Sequence, residues 1–364
     1  MSVSANSCMV TAGNDMSSPA RPVNSLGPEI EPSGGSASEE APSQAVRDGG
    51  AAWTGRTRGG YFGNWFFVQL IRVAGLRAAY AWLVLVVAYF TVSSPRAFRS
   101  SVEYCRRLSG PRPFWLWPVW VYRHFYSFGV TLLDRLALIM GRSRMQCRFE
   151  GEAGFREPLN RGQGIILLGA HVGNWEMAAH LLGRLGKPVN LIVLEREEAN
   201  IRRLFDQALR SRMFQILTAD GSPLRTIPIL AALRRGEMVA LLGDRSFGGA
   251  ETSVPFLGGM ARFPMGPYHL AAATGAPIFQ VFAMREKLGS YRFFSFPAQS
   301  VSRDVLRPGS DALLRSVREY AQRLETVVRQ YPFQWYNFYP FWEQAPATRP
   351  TPGSSTSVRC PTQP

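Results

Sequence analysis

The second half of the chain alternates short apolar runs with longer amphipathic ones, and that alternation limits the folds open to it. Residues 164–171, GIILLGAH, read as a strand, and 174–186, NWEMAAHLLGRLG, as a helix closed by glycine. VNLIVLE (189–195) and FQILT (214–218) are the next strands, separated by the helical EANIRRLFDQALRSR (198–212). SPLRTIPILAALRRG (222–236) follows as a helix with Ser222 at its N-cap and Pro223 in its first turn, then MVALLGD (238–244) as a strand. The order β-α-β-α-β-α-β predicts an α/β domain with a largely parallel central sheet flanked by helices. GPYHLAAATGAP (266–277) adds a helix, IFQVFAMRE and YRFFSFP add strands, and 310–332 is a long amphipathic helix.

Four segments follow from these patterns. Residues 1–58 are rich in Ser, Gly, Pro and Ala, have no apolar period, and are expected to be disordered, without the basic start and apolar core of a secretory signal. Residues 59–145 form a membrane-associated helical region, 146–344 the α/β domain, and 345–364 a second disordered tail. Ala78–Val92 carries no charge. At ~1.5 Å per residue it spans roughly 22 Å, short of a ~30 Å hydrocarbon core. Trp65–Val92 is therefore read as one or two helices lying in or dipping into the membrane interface, anchored by Trp65, Phe66, Phe67 and Trp82. A buried helix of a soluble domain is the competing reading.

Charge narrows the partners. Lys+Arg is 41 against 26 Asp+Glu, a net of +15, and all of the basic residues except Lys187 and Lys287 are arginine. The acidic side chains of the first 50 residues outnumber the basic ones there, so the body is more basic than the whole. Such a body seeks polyanions. No zinc finger, ribonucleoprotein motif or basic helix argues for nucleic acid, which leaves an anionic membrane surface. No Walker loop or G-x-G-x-x-G points to a nucleotide cofactor. Cys8, Cys105, Cys147 and Cys360 are scattered and read as reduced thiols of a cytoplasm-facing body.

The chemistry starts at His171, which ends a strand where open α/β sheets bind ligands. Glu176 lies five residues on. Within one helix the two would point about 140° apart, so they meet only if the helix begins between them. Gly173 and Asn174 supply a turn and an N-cap there. A carboxylate beside an imidazole fixes its tautomer and makes it a general base for a hydroxyl. His180 shares a helix face with Glu176, which raises a zinc site from His171, Glu176 and His180, but H-E-x-x-H is absent and no metal is expected. His180, His124 and His269 read as packing residues.

HVGNWE (171–176) also matches the H-x-x-x-x-[D/E] motif of glycerolipid and lipid A acyltransferases. The later blocks keep that order: LEREEAN, with Arg196 and Asn200 in register; LLGDRSFGG through FAMRE; and QWYNFYPFW (334–342). Over roughly residues 62–343 the chain resembles the lipid A biosynthesis (lauroyl/myristoyl) acyltransferase family. The resemblance implies direct transfer of an acyl chain from acyl-carrier protein or acyl-CoA, with no other cofactor, to a lipid or glycolipid hydroxyl. His171 is the base and Glu176 orients it. Asp244 ends a strand, so it reaches the same edge, to support His171 or bind the acceptor. Arg196 and Arg245 are expected to hold phosphate or oxyanion, and the stretch with Arg262 and Gly266 to offer an anion site. A location on the cytoplasmic face of a bacterial inner membrane is implied, peripheral or short-anchored. A lipid A precursor, a phosphatidylinositol mannoside, an aminolipid and a secondary-metabolite lipid all fit as acceptor. A thioesterase or lipid hydrolase using the same dyad, and a non-catalytic lipid-binding protein, are the other readings.

Overall fold

Strand β3 (Ile165–Gly169) is buried at every position, so its residues are apolar without alternation, as a strand covered on both faces requires. It lies inside an eight-stranded sheet in a computed structural model that describes residues 6–10, 60–141, 145–175, 185–194, 214–219, 223–245 and 249–343. The other strands are β1 (Asn6–Val10), β2 (Met145–Glu150), β4 (Val189–Leu194), β5 (Phe214–Ala219), β6 (Met238–Leu242), β9 (Ile278–Lys287) and β10 (Ser290–Ser295). Their order is β1-β2-β10-β9-β3-β6-β4-β5. From β9 to β5 all neighbours are parallel, while β10 runs antiparallel to β9. The expected largely parallel α/β sheet is what the chain forms.

Two elements depart from the sequence reading. Residues 251–264 form a separate hairpin, β7 (Glu251–Phe256) and β8 (Gly259–Pro264). Within the segment expected to be disordered, Asn6–Val10 pairs antiparallel with β2. β2 would otherwise leave one row of N–H and C=O groups unpaired, and a short segment of low charge fits that edge.

Helices cover both faces. One face packs α7 (Asp311–Gln330), through Leu313, Val317, Tyr320, Leu324 and Val328, with α5 (Pro223–Arg234) and α6 (Gly266–Thr274). The other packs Phe155 and Leu159 of α4 (Ala153–Asn160). Both sides bury aliphatic and aromatic groups at about 25 cal/mol per Å² removed from water.

The N-terminal helices are α1 (Gly60–Ser93), α2 (Pro95–Ser109) and α3 (Trp117–Ile139). Gly75, at φ 80° and ψ 173°, breaks α1 in two, a conformation that costs a residue with a Cβ. One face of α1 packs Ile71, Ala79, Leu83 and Val87 onto Val121, Val130 and Leu133 of α3. Gly129 lets the helices approach, since a Cβ there would sit 2.7 Å from Leu83 Cδ1. The opposite face exposes Val73, Trp82, Leu85, Tyr89 and Val92. Trp65–Ser93 is long and apolar enough to cross a membrane by length and composition.

Buried polar bonds tie these helices to the sheet. Asp134 of α3 accepts hydrogen bonds from Tyr80 of α1 and Tyr291 of β10. Arg285 of β9 donates to Ser127 Oγ (2.6 Å) and Thr131 Oγ1 (3.0 Å) of α3. His124 is fully buried. Its Nε2–H donates to the carbonyl of Trp335 (2.6 Å), which leaves Nδ1 to accept from the Ser101 hydroxyl at 2.8 Å. It packs, as expected, but as a hydrogen-bonded bridge. Half-buried His269 lies on α6.

Burial lowers His124 to about 4, partly offset by its bond to Trp335. The buried neutral ring contributes stability that is complete above the unfolded value of 6.5 and is lost as pH falls from there through about 4. The window is worth about 3 kcal/mol. Urea-unfolding free energies from pH 7.5 to 4 should fall less steeply for His124→Gln than for the parent protein. Parallel profiles would remove burial of His124 as the cause.

Candidate active site

β3 and β6 are adjacent and parallel, with Gly169 opposite Leu242. Two residues further along each strand, the same register sets His171 against Asp244 at the carboxyl edge. His171 Nδ1 lies 2.9 Å from Asp244 Oδ1, and the His171 backbone N–H donates to Oδ2 at 3.0 Å. Since a carboxylate accepts, Nδ1 carries the proton and Nε2 holds the lone pair. The imidazole keeps 19% of its side-chain surface exposed, whereas the Asp244 side chain keeps 2%. This is the geometry of an oriented base.

Asp244 is stripped of water yet stays charged. Burial alone would raise its pKa. The neighbouring His171, its hydrogen bond, the Arg245 charge and a bond from Trp335 outweigh that and hold it at about 2. The third donor is the indole Nε1–H of Trp335, 3.0 Å from Oδ2. Trp335 is fully buried and packed edge-on by Tyr104, Phe256 and Phe341.

The turn after His171 requires a glycine. Helical backbone begins at Trp175, so the helix does start between His171 and Glu176. Gly173 adopts φ +60°, and a Cβ there would lie 2.1 Å from the carbonyl oxygen of Ala283. Its N–H donates to Gln334 O (2.8 Å), and Asn174 N–H donates to Ala283 O (2.8 Å). Tyr336 N–H donates to His171 O (2.9 Å). The C-terminal segment 334–336 is thus laced along the histidine turn. Gln334 in turn holds Arg285 by both its amide atoms.

Of the residues singled out in the sequence, the structure brings together His171, Asp244 and Arg245. Arg245 Nη2 donates to Tyr336 O (3.0 Å), and its guanidinium lies 5.0 Å from the Tyr339 ring. Arg262 is exposed on β8 and pairs with Glu343 at 3.0 Å. Gly266 is exposed at the start of α6, where a Cβ would meet nothing within 4 Å, so no close approach demands glycine there. Glu176, His180, Arg196 and Asn200 lie outside the described residues. The carboxylate on Nδ1 is Asp244, from the neighbouring strand. Among the described residues no cluster of three His, Cys, Asp or Glu is arranged to hold a metal.

Trp335, Gln334 and Gly173 escaped the sequence reading as site residues. The signal for Trp335 was present as an aromatic run near the end of the domain, but the partner of an indole N–H cannot be read from spacing.

A sequence model of the family described as bacterial lipid A biosynthesis acyltransferase matches residues 121–344. A phosphatidylinositol mannoside acyltransferase of Mycolicibacterium smegmatis is 27% identical over 185 residues, covering 50% of this chain and 58% of its own length. The protein of that name from Mycobacterium tuberculosis is 27% identical over 186 residues, 50% of this chain and 56% of its own. The chain thus spans somewhat over half the length of these curated relatives.

Removing the indole donor isolates its part in holding the buried charge. Trp335→Phe should destabilise the protein by about 2 kcal/mol at neutral pH, through an unmet bond to a buried carboxylate. The folded pKa of Asp244 is depressed, so the stability it contributes is present above 3.8 and is lost as pH falls through about 2. The gap between parent and variant should narrow across that interval. A gap that stays constant would mean that only ring packing was lost.

Proposed function

This chain belongs to the bacterial lipid A biosynthesis acyltransferase family, and we propose from that membership that it moves a fatty acyl chain from a thioester to a hydroxyl of a membrane glycolipid. The observation that carries the mechanism is the bond between buried Asp244 and His171 Nδ1, which leaves Nε2 as a lone-pair base at the edge of the sheet. Nε2 takes the proton of the acceptor hydroxyl, and the oxygen attacks the thioester carbonyl. The tetrahedral adduct collapses, the C–S bond breaks, and the proton on Nε2 passes to the departing sulfur. Asp244 stays ionised throughout and stabilises the imidazolium formed in between. No acyl-enzyme is required.

The acyl donor in this reading is acyl-CoA or an acyl-carrier protein. The relatives' names point to phosphatidylinositol mannosides as acceptor and the family's name to lipid A. Both are glycolipids, and a glycolipid hydroxyl is the acceptor proposed. Arg245 is the nearest cation to the dyad by sequence and lends positive charge where an oxyanion develops. The exposed apolar face of α1 and the arginine-rich body favour work at a membrane surface.

Purified protein, incubated with labelled acyl-CoA or acyl-carrier protein and an extracted glycolipid pool, should place the label in a new lipid. His171→Ala should abolish transfer. Asp244→Asn, which keeps the shape but misorients the imidazole, should lower kcat by roughly 10³–10⁴-fold. Full transfer by His171→Ala would end the proposal, and label released only as free fatty acid would make the protein a hydrolase.

A further inference from the structure

A cleft of about 620 Å³ is lined by Arg99, Val102, Glu103, Arg106 and Arg107 of α2 and by Leu257 and Gly258 at the tip of the β7–β8 hairpin. Neither His171 nor Asp244 borders it. Three guanidinium groups face one carboxylate. Glu103 is already engaged by Arg107 at 3.3 Å, and Arg107 also lies 4.6 Å from the ring of Trp342. Arg99 and Arg106 sit two helical turns apart, on one face, and both are exposed. Among the described residues neither has a carboxylate within ion-pair distance.

The opposite wall is fixed. Leu257 holds φ 49°, and its N–H donates to Glu325 Oε2 on α7 at 2.8 Å. Arginines gathered against a rigid wall repel one another unless an anion lies between them. The planar fork of guanidinium donors matches the oxygens of a phosphate.

The surroundings indicate where that phosphate comes from. Just before α2, α1 exposes Tyr89 and Val92, at 66% and 85%. Just after it, Phe114 and Trp115 are exposed at 79% and 64%. A basic helix bracketed at both ends by exposed apolar side chains lies at headgroup depth when those side chains enter lipid. We propose that the Arg99–Arg106–Arg107 cleft binds the phosphate of an anionic phospholipid headgroup and fixes the protein's orientation on the bilayer. This does not depend on acyl transfer.

The test uses the full chain and co-sedimentation with vesicles of phosphatidylcholine, alone or mixed with phosphatidylglycerol. Arg99→Gln with Arg106→Gln should weaken binding to the mixed vesicles roughly thirty-fold, at about 1 kcal/mol per cation, and leave binding to neutral vesicles unchanged. The charge-matched control is Arg315→Gln with Arg318→Gln, two exposed positions on α7. It should lose far less. Equal losses in both pairs would reduce the effect to net charge and overturn the cleft as a site. No loss in the α2 pair would overturn it as well. Titration with inorganic phosphate separates the sources: tight binding of the free ion, abolished in the α2 pair while vesicle binding persists, would assign the cleft to a soluble phosphate instead. His171→Ala should bind vesicles like the parent protein, so failure here and failure of the acyl-transfer reading are told apart.

Discussion

A single buried carboxylate organises this molecule. Asp244 accepts the backbone N–H and the ring N–H of His171 and the indole N–H of Trp335, three donors from two distant stretches of chain. Each bond offsets part of the cost of keeping an anion out of water. An unpaired charge in that position would cost several kcal/mol. The carboxylate stays ionised because all three donors are present. The donors are present because two parallel strands end in register and a C-terminal segment lies across them.

That segment is the second device. Its backbone bonds the histidine turn through Gln334 and Tyr336, and its carbonyl at Trp335 receives the buried His124. Gln334 holds Arg285, which reaches into α3, and Tyr104 of α2 bonds the carbonyl of Pro332. The N-terminal helices are therefore not an appendage to the sheet. The same buried polar bonds that seat them also position the indole beside Asp244, so disturbing the helices should be felt at the dyad.

The helices also divide the surface by chemistry. α1 buries one apolar face on α3 and leaves another exposed, while α2 carries arginines between two exposed apolar stretches. Arginine suits that place better than lysine. Its guanidinium is more weakly hydrated, stacks on tryptophan as Arg107 does on Trp342, and meets phosphate with two donors at once.

The alternation of apolar runs determined the parallel α/β sheet, because a strand covered on both faces and a helix covered on one must bury different residue patterns. It also placed His171 and Asp244 at the carboxyl edge, since each directly follows a buried run. A glycine and an asparagine located the start of the helix after His171. Tertiary structure decided the bond itself, from Nδ1 of the imidazole to Asp244 Oδ1. Asp244 is opposite His171 by strand register, and register depends on packing that no local pattern records. The same holds for Trp335 and for the hairpin tip that closes the arginine cleft. Their partners come from residues dozens to hundreds of positions away, brought together only when the sheet forms and its helices settle on it.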